Sequence, residues 1–120
     1  MKLAGVMLGS ENPKRLGEFY TKICGEPGWH EDEWYGFEVG GGSLMIGGHS
    51  EVKDLNKEPA RIIISMEVED VEAEFKRIVE IGAGIVAEPY HPMPDTPELW
   101  LATLKDPDGN YIQLSTPWEG

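Results

Sequence analysis

The sequence predicts an α+β protein made of two β-α-β-β-β modules. Three observations carry this. Each half opens with an apolar stretch, then a helix-capping residue, an apolar stripe at helical spacing and a closing glycine. Each helix is followed by three segments of extended character. The two halves also keep step: Asn12 and Asp70 stand 58 apart (70 − 12), and Gly25 and Gly82 stand 57 apart (82 − 25). Near-constant spacing over half a chain is the mark of an internal repeat.

In the first half, Leu3 to Leu8 is the opening strand. Asn12 is the N-cap, and Pro13 suits the first helical position because its fixed φ is already helical. Leu16, Phe19, Tyr20 and Ile23 form the buried stripe, and Gly25 ends the helix. Extended pieces follow around Trp29, at Trp34 to Val39 and at Ser43 to Gly47. In the second half, Ile62 to Val68 is the opening strand. Asp70 caps a helix whose stripe is Val71, Phe75, Ile78 and Val79, and Gly82 closes it. Ile85 to Tyr90, Leu99 to Leu104 and Asn110 to Ser115 are the remaining strands. Residues 1–50 form the first module and 60–120 the second. The charged, apolar-poor stretch EVKDLNKEP at 51–59 is the linker.

The stretch DPDGNYIQL at 106–114 predicts a hairpin corner. Pro107 pre-sets φ for a β-turn, Asp106 can accept a backbone N–H just ahead of it, and Gly109 takes a positive φ at little cost. From Asn110 the residues alternate. Tyr111, Gln113 and Ser115 share one face, while Ile112 and Leu114 share the other. Asp106 and Asp108 therefore belong to a turn rather than an acid–base pair. Gln113 stands inside a strand, where a sheet face can meet a ligand.

Composition narrows the function. The 10 basic residues face 22 acidic ones, for a net charge of −12. A basic face, needed to hold nucleic acid or an anionic membrane, is not expected. The acidity admits a cationic ligand or partner. A single cysteine, Cys24, cannot form an internal disulfide, and the expected location is cytoplasmic. Cys24 is expected to be a buried, inert thiol. The start, MKLAGVML, is too short for a secretory signal.

One helix covers one face of a four-stranded sheet. The other face must meet a second sheet or shape a concave surface around a ligand. Two modules side by side are expected to form a curved, mixed-sheet cleft.

The motifs NPKRLGEFYTKICG, MEVEDVEAEFKRIVEIGA and KDPDGNYIQL, in this order and across essentially the whole chain, resemble the glyoxalase/bleomycin-resistance/dioxygenase family, the vicinal oxygen chelate superfamily. The resemblance implies the paired-module fold and a homodimer. In the metal enzymes of the family, His or Glu from the first and last strands of each module hold a divalent ion. Carried over strand by strand, those positions fall at Gly5, Ile46, Ile63 and Gln113. None of the first three offers a donor, and the fourth is a neutral amide. A shift along the strands by an even number of residues brings in Glu67 or Gly48 without completing a set. His30, His49 and His91 lack paired metal spacing, although His49 could meet something at the cleft mouth.

Without an ion, the isomerase, lyase and dioxygenase chemistries of the family lose their Lewis acid. No metal or cofactor is expected. The resemblance then points to the family's metal-free, drug-sequestering members and to a planar or cationic small molecule. The expected contacts are Gln113 and Tyr111 as polar anchors, Glu67 for a cation, Trp100 for stacking, and Ser65 and Met7 on the same walls. Ile63 and Ser115 share their parity. Trp29, Trp34, Tyr35 and Phe37 could add flat walls or pack a core. The alternative is a metal-dependent lyase, isomerase or dioxygenase with other ligands. A metal-free enzyme would need Glu67 or Glu38 as its base.

Overall fold

Asn12 and Asp70 start the two helices as their capping chemistry predicts. In the computed structural model, Asn12 Oδ1 accepts the backbone N–H of Arg15 at 3.2 Å, and Asp70 Oδ1 accepts that of Ala73 at 3.0 Å. Each bond satisfies an N–H that the first helical turn would otherwise leave without a partner. Helix α1 is Pro13–Cys24 and helix α2 is Val71–Ile81. Gly25 and Gly82 follow them at positive φ, 93° and 121°, where a side chain would be strained.

The structure describes residues 1–117. The chain divides into two units, Met1–Asp54 and Leu55–Gly120. In the first, strands β1 (Val6–Ser10), β2 (Trp29–Glu31), β3 (Trp34–Val39) and β4 (Gly42–Gly48) form a sheet in the order β1-β4-β3-β2. In the second, β5 (Ile63–Glu67), β6 (Gly84–Tyr90), β7 (Leu101–Lys105) and β8 (Tyr111–Ser115) form a sheet in the order β5-β8-β7-β6. Each sheet is mixed. Its first and last strands pair in parallel, and the other pairs are antiparallel. The fold is therefore α+β with two modules of β-α-β-β-β type.

Each unit has its own core between helix and sheet. Helix α1 packs on β1, β3 and β4. It buries Leu16, Phe19 and Tyr20, while Tyr35, Phe37, Leu44 and Ile46 are buried from the sheet. Helix α2 packs on β6, β7 and β8. It buries Val71, Phe75 and Ile78, while Ala102, Leu104, Ile112 and Leu114 are buried from the sheet. Each large aliphatic or aromatic side chain removed from water in this way contributes about 1.5–3 kcal/mol.

Some sequence expectations need correction. The first strand begins at Val6 rather than Leu3, and Leu3 is 86% exposed. Pairing explains this, since the ladder to β4 opens at Val6↔Leu44. Ile23 and Val79 sit at the margins of their stripes and are half-buried. Cys24 is half-exposed rather than buried, because it ends α1. Strand β7 begins at Leu101. Among the described residues, no helix is long and apolar enough to cross a membrane.

Candidate functional site: the open face of the second sheet

The side of the second sheet turned away from α2 carries a defined grid of side chains. Register sets it. Ile63, Tyr111 and Lys105 align across β5, β8 and β7. Ser65, Gln113 and Thr103 form the next row, and Glu67, Ser115 and Leu101 the third. The intervening residues Ile112, Leu114, Ala102 and Leu104 point the other way and are buried under α2. A strand's period of two thus separates an apolar side from a polar one.

The DPDGN corner positions this grid. Asp106 Oδ1 accepts the N–H groups of Asp108 and Asn110, both at 2.9 Å. Its Oδ2 accepts Asn110 Nδ2 at 2.9 Å. Gly109 has φ 84°. Asp106 is 5% exposed and fully engaged in the turn, so its work is structural, as the turn chemistry predicts. The corner launches β8 with Gln113 on the open side.

Gln113, Tyr111, Thr103 and Ser65 form no side-chain hydrogen bond among the described residues. Gln113, Tyr111 and Thr103 are half-buried and Ser65 is exposed. Ser115 differs, as its hydroxyl donates to the carbonyl of Thr116 at 2.9 Å. A row of polar groups is thus held on a rigid sheet with its bonding capacity uncommitted.

Of the contacts expected from sequence, Tyr111, Gln113, Ser65 and Glu67 share this face. Trp100 does not. Its backbone N–H donates to Thr116 Oγ1 at 3.0 Å, one step beyond the Leu101–Ser115 pair, so the residue falls on the α2 side. There it packs against His91, with ring centroids 3.9 Å apart. It also lines a hollow of about 170 Å³ with Glu69, Val71 and Thr116. Lys105 and Thr103 were missed. The alternation of Leu101, Thr103 and Lys105 was available to find them, but it has meaning only once the strand's bounds are known.

Met7 lies on the corresponding side of the first sheet, beside Met45 in the β1–β4 pair. On that side the indole of Trp34 lies flat over Gly47. A Cβ there would stand 2.3 Å from two indole carbons. Trp29 stands beside Gly36 more loosely, since a Cβ there would lie 3.7 Å from Trp29 Cβ and Cε3. Tyr35 and Phe37 face α1 and belong to the core, so only the two tryptophans remain as flat walls.

Ile46 also proves to be a core residue, with 0% exposure. The strand alternation puts Met45 and Gly47 on its open side instead. A shift of 58 carries Met7 to Ser65, and the parallel registers pair Met7 with Met45 and Ser65 with Gln113. The first sheet there offers two thioethers, and the second a hydroxyl and an amide. Hard and borderline divalent ions prefer imidazole and carboxylate, so neither pair suits one. Among the described residues, no group of three His, Cys, Asp or Glu side chains could hold a metal. The histidines have local partners. His30 stacks on Tyr35, with centroids 4.0 Å apart; His49 Nδ1 accepts the N–H of Glu51; His91 Nδ1 meets the carbonyl of Leu99. Glu67 and Glu38 are both exposed.

Two β-α-β-β-β units, each a four-stranded mixed sheet with a helix on one face, define the class of fold. Residues 5–115 match the family model described as glyoxalase-like domain, and the chain belongs to that family. Solved structures share the fold. A glyoxalase/bleomycin resistance protein from Albidiferax ferrireducens T118 is 20% identical, with a TM-score of 0.75, covering 96% of this chain and 98% of that one. A glyoxalase-related enzyme from Fulvimarina pelagi is 17% identical, with a TM-score of 0.76 and coverage of 97% and 88%. The fosfomycin resistance protein FosX from Listeria monocytogenes is 13% identical, with a TM-score of 0.77 and coverage of 99% and 95%. Among curated proteins there is no match.

Proposed function

We propose that this chain is a metal-independent small-molecule binding protein, and that the open face of the second sheet is its contact surface. One observation carries the reading: Gln113, Tyr111, Thr103 and Ser65 stand together on that face with no side-chain hydrogen bond among the described residues. Half-buried polar groups lose little while water reaches them, and gain when a ligand supplies matched partners in a drier setting. Gln113 offers one acceptor and two donors at the middle of the grid, which suits an organic ligand better than a cation. The names of the similar structures, a bleomycin resistance protein and a fosfomycin resistance protein, support a small-molecule role for this fold.

Sequestration of a planar compound is the form of the function that fits best. Tyr111 supplies an aromatic surface on the grid, and no residue there forms a nucleophile–base pair. The test is a thermal-shift screen of planar aromatic compounds bearing polar groups, followed by Gln113→Ala on each hit. Binding to the native state raises Tm. Losing a hydrogen bond at Gln113 should weaken binding by about 1 kcal/mol and leave the fold intact. A stoichiometric divalent metal in protein purified without chelators, lost in Gln113→Ala, would replace this reading with the metal-enzyme one.

A further inference from the structure

We propose that the open face of the second sheet orients an amphoteric ligand, with its anionic group at Lys105 and its cationic group at Glu67. This rests on the binding role just argued for the face and specifies the class of ligand.

The two charges stand at opposite ends of one grid. Lys105 shares a row with Tyr111 and Ile63, and Glu67 shares a row with Ser115 and Leu101. Lys105 and Leu101 are four residues apart on β7, which places the two rows about 13 Å from each other along the strands. The row between them holds Ser65, Gln113 and Thr103, all uncharged. The face therefore has a cationic end, a neutral polar middle and an anionic end.

Neither end charge is spent on a partner among the described residues. Lys105 and Glu67 form no ion pair or side-chain hydrogen bond among the described residues. This is notable for Lys105, because acids outnumber bases 22 to 10 in the chain. Its stem lies against Gly84, whose absent Cβ would stand 3.5 Å from Lys105 Cβ. The bare glycine lets the aliphatic stem rest at the edge of the sheet while the ammonium stays in solvent.

The Lys105 end also has room. A groove of about 440 Å³ opens beside Tyr111, lined by Glu58, Pro59, Ala60 and Arg61. Arg61 is held there by Glu58, with Nε and Nη2 at 2.7 and 2.6 Å from Oε2. That pair is internally neutral, so Lys105 supplies the net charge at this end. The hydroxyl of Tyr111 can add a hydrogen bond to the same anion.

The probe is 4′-(aminomethyl)biphenyl-4-carboxylate, a rigid amphoteric aromatic whose length suits the face. Biphenyl-4-carboxylate and 4-(aminomethyl)biphenyl lack one charge each. Kd for all three is measured by NMR titration with the wild-type protein, Lys105→Met and Glu67→Gln, following the Gln113 side-chain amide. Lys105→Met should weaken the two carboxylates about three- to fivefold, the upper range for an exposed ion pair, and leave the amine-only compound unchanged. Glu67→Gln should weaken the two amines and spare biphenyl-4-carboxylate. If the wild-type protein binds these compounds at Gln113 but neither variant discriminates among them, the polarity is wrong and the binding role stands. If none of the three perturbs Gln113, both fall.

Discussion

The side-chain amide of Asn56 donates to Oδ1 of Asn110 at 2.9 Å, joining the segment between the two modules to the last hairpin corner. A second bond secures the join, from the N–H of Asn56 to the carbonyl of Asp108 at 2.8 Å. Within the segment, Oδ1 of Asn56 accepts the N–H of Glu58 at 2.9 Å. A stretch that is charged and poor in apolar residues is thus fastened by hydrogen bonds rather than by burial. Asn56→Ala removes both side-chain bonds at an exposed position. The expected loss is up to about 1 kcal/mol, read as a lower urea midpoint with an unchanged m-value.

Asp106 should matter more than its neighbour Asp108 in the same corner. Its carboxylate accepts three hydrogen bonds, two from backbone N–H groups, at a site that is almost closed to solvent. Asp106→Ala strands those donors and should cost about 2–3 kcal/mol, as for buried bonds to a charged acceptor. Chemical denaturation of Asp106→Ala beside Asp108→Ala checks this, and equal losses would show that the corner is not organised by Asp106.

Gly17 and Gly47 are both overlaid by an aromatic ring, yet alanine should have different costs at the two positions. At Gly17 a Cβ would stand 2.4 Å from Tyr35 Cε1, and Tyr35 is 6% exposed beneath α1. Alanine is normally about 1 kcal/mol better than glycine inside a helix. Here the ring lies between Gly17 and His30, so overpacking should win, with a net loss of about 1–3 kcal/mol. At Gly47 the overlap with Trp34 is as close, but that indole is half-exposed and can swing into solvent. Gly47→Ala should therefore cost under about 1 kcal/mol while shifting the tryptophan fluorescence. Thermal melts of both variants separate the two cases.

Gln113→Glu should not create a metal site. The added carboxylate would stand beside Ser65 and Thr103, whose hydroxyls do not complete a coordination sphere. Titration of the variant with Mn²⁺, Ni²⁺ and Zn²⁺ by calorimetry should give no stoichiometric binding event. A tight one-to-one site would show that donors beyond these positions complete a coordination sphere.

Much of this architecture was legible in the chain because its signals are local. Asn12 and Asp70 announce the helix starts through their own side-chain oxygens, and Gly25 and Gly82 announce the ends through φ. Leu16, Phe19, Phe75 and Ile78 show the buried stripes through helical spacing. The DPDGN corner and the alternation after it set the parity of Gln113 without reference to any other strand. The start of the first strand could not be read this way. Leu3 is as apolar as Leu8, and only the pairing of Val6 with Leu44 decides where the ladder opens.

Local stretches of the chain encode the class of fold, the two helices, and the parity of Tyr111, Gln113 and Ser115. Those properties follow from dihedral preferences and periodicity, which act over a few residues. Tertiary structure decided which residues meet. Register set Ser65 and Thr103 on either side of Gln113, Met45 rather than Ile46 on the open side of β4, and Trp100 on the α2 side of its sheet. It also set Lys105 and Glu67 at opposite ends of one face. Cross-strand register depends on residues as far apart as Ile63 and Tyr111 packing together. A slip of one residue would turn every side chain to the other face, so the burial of each unit's core fixes what no local stretch encodes.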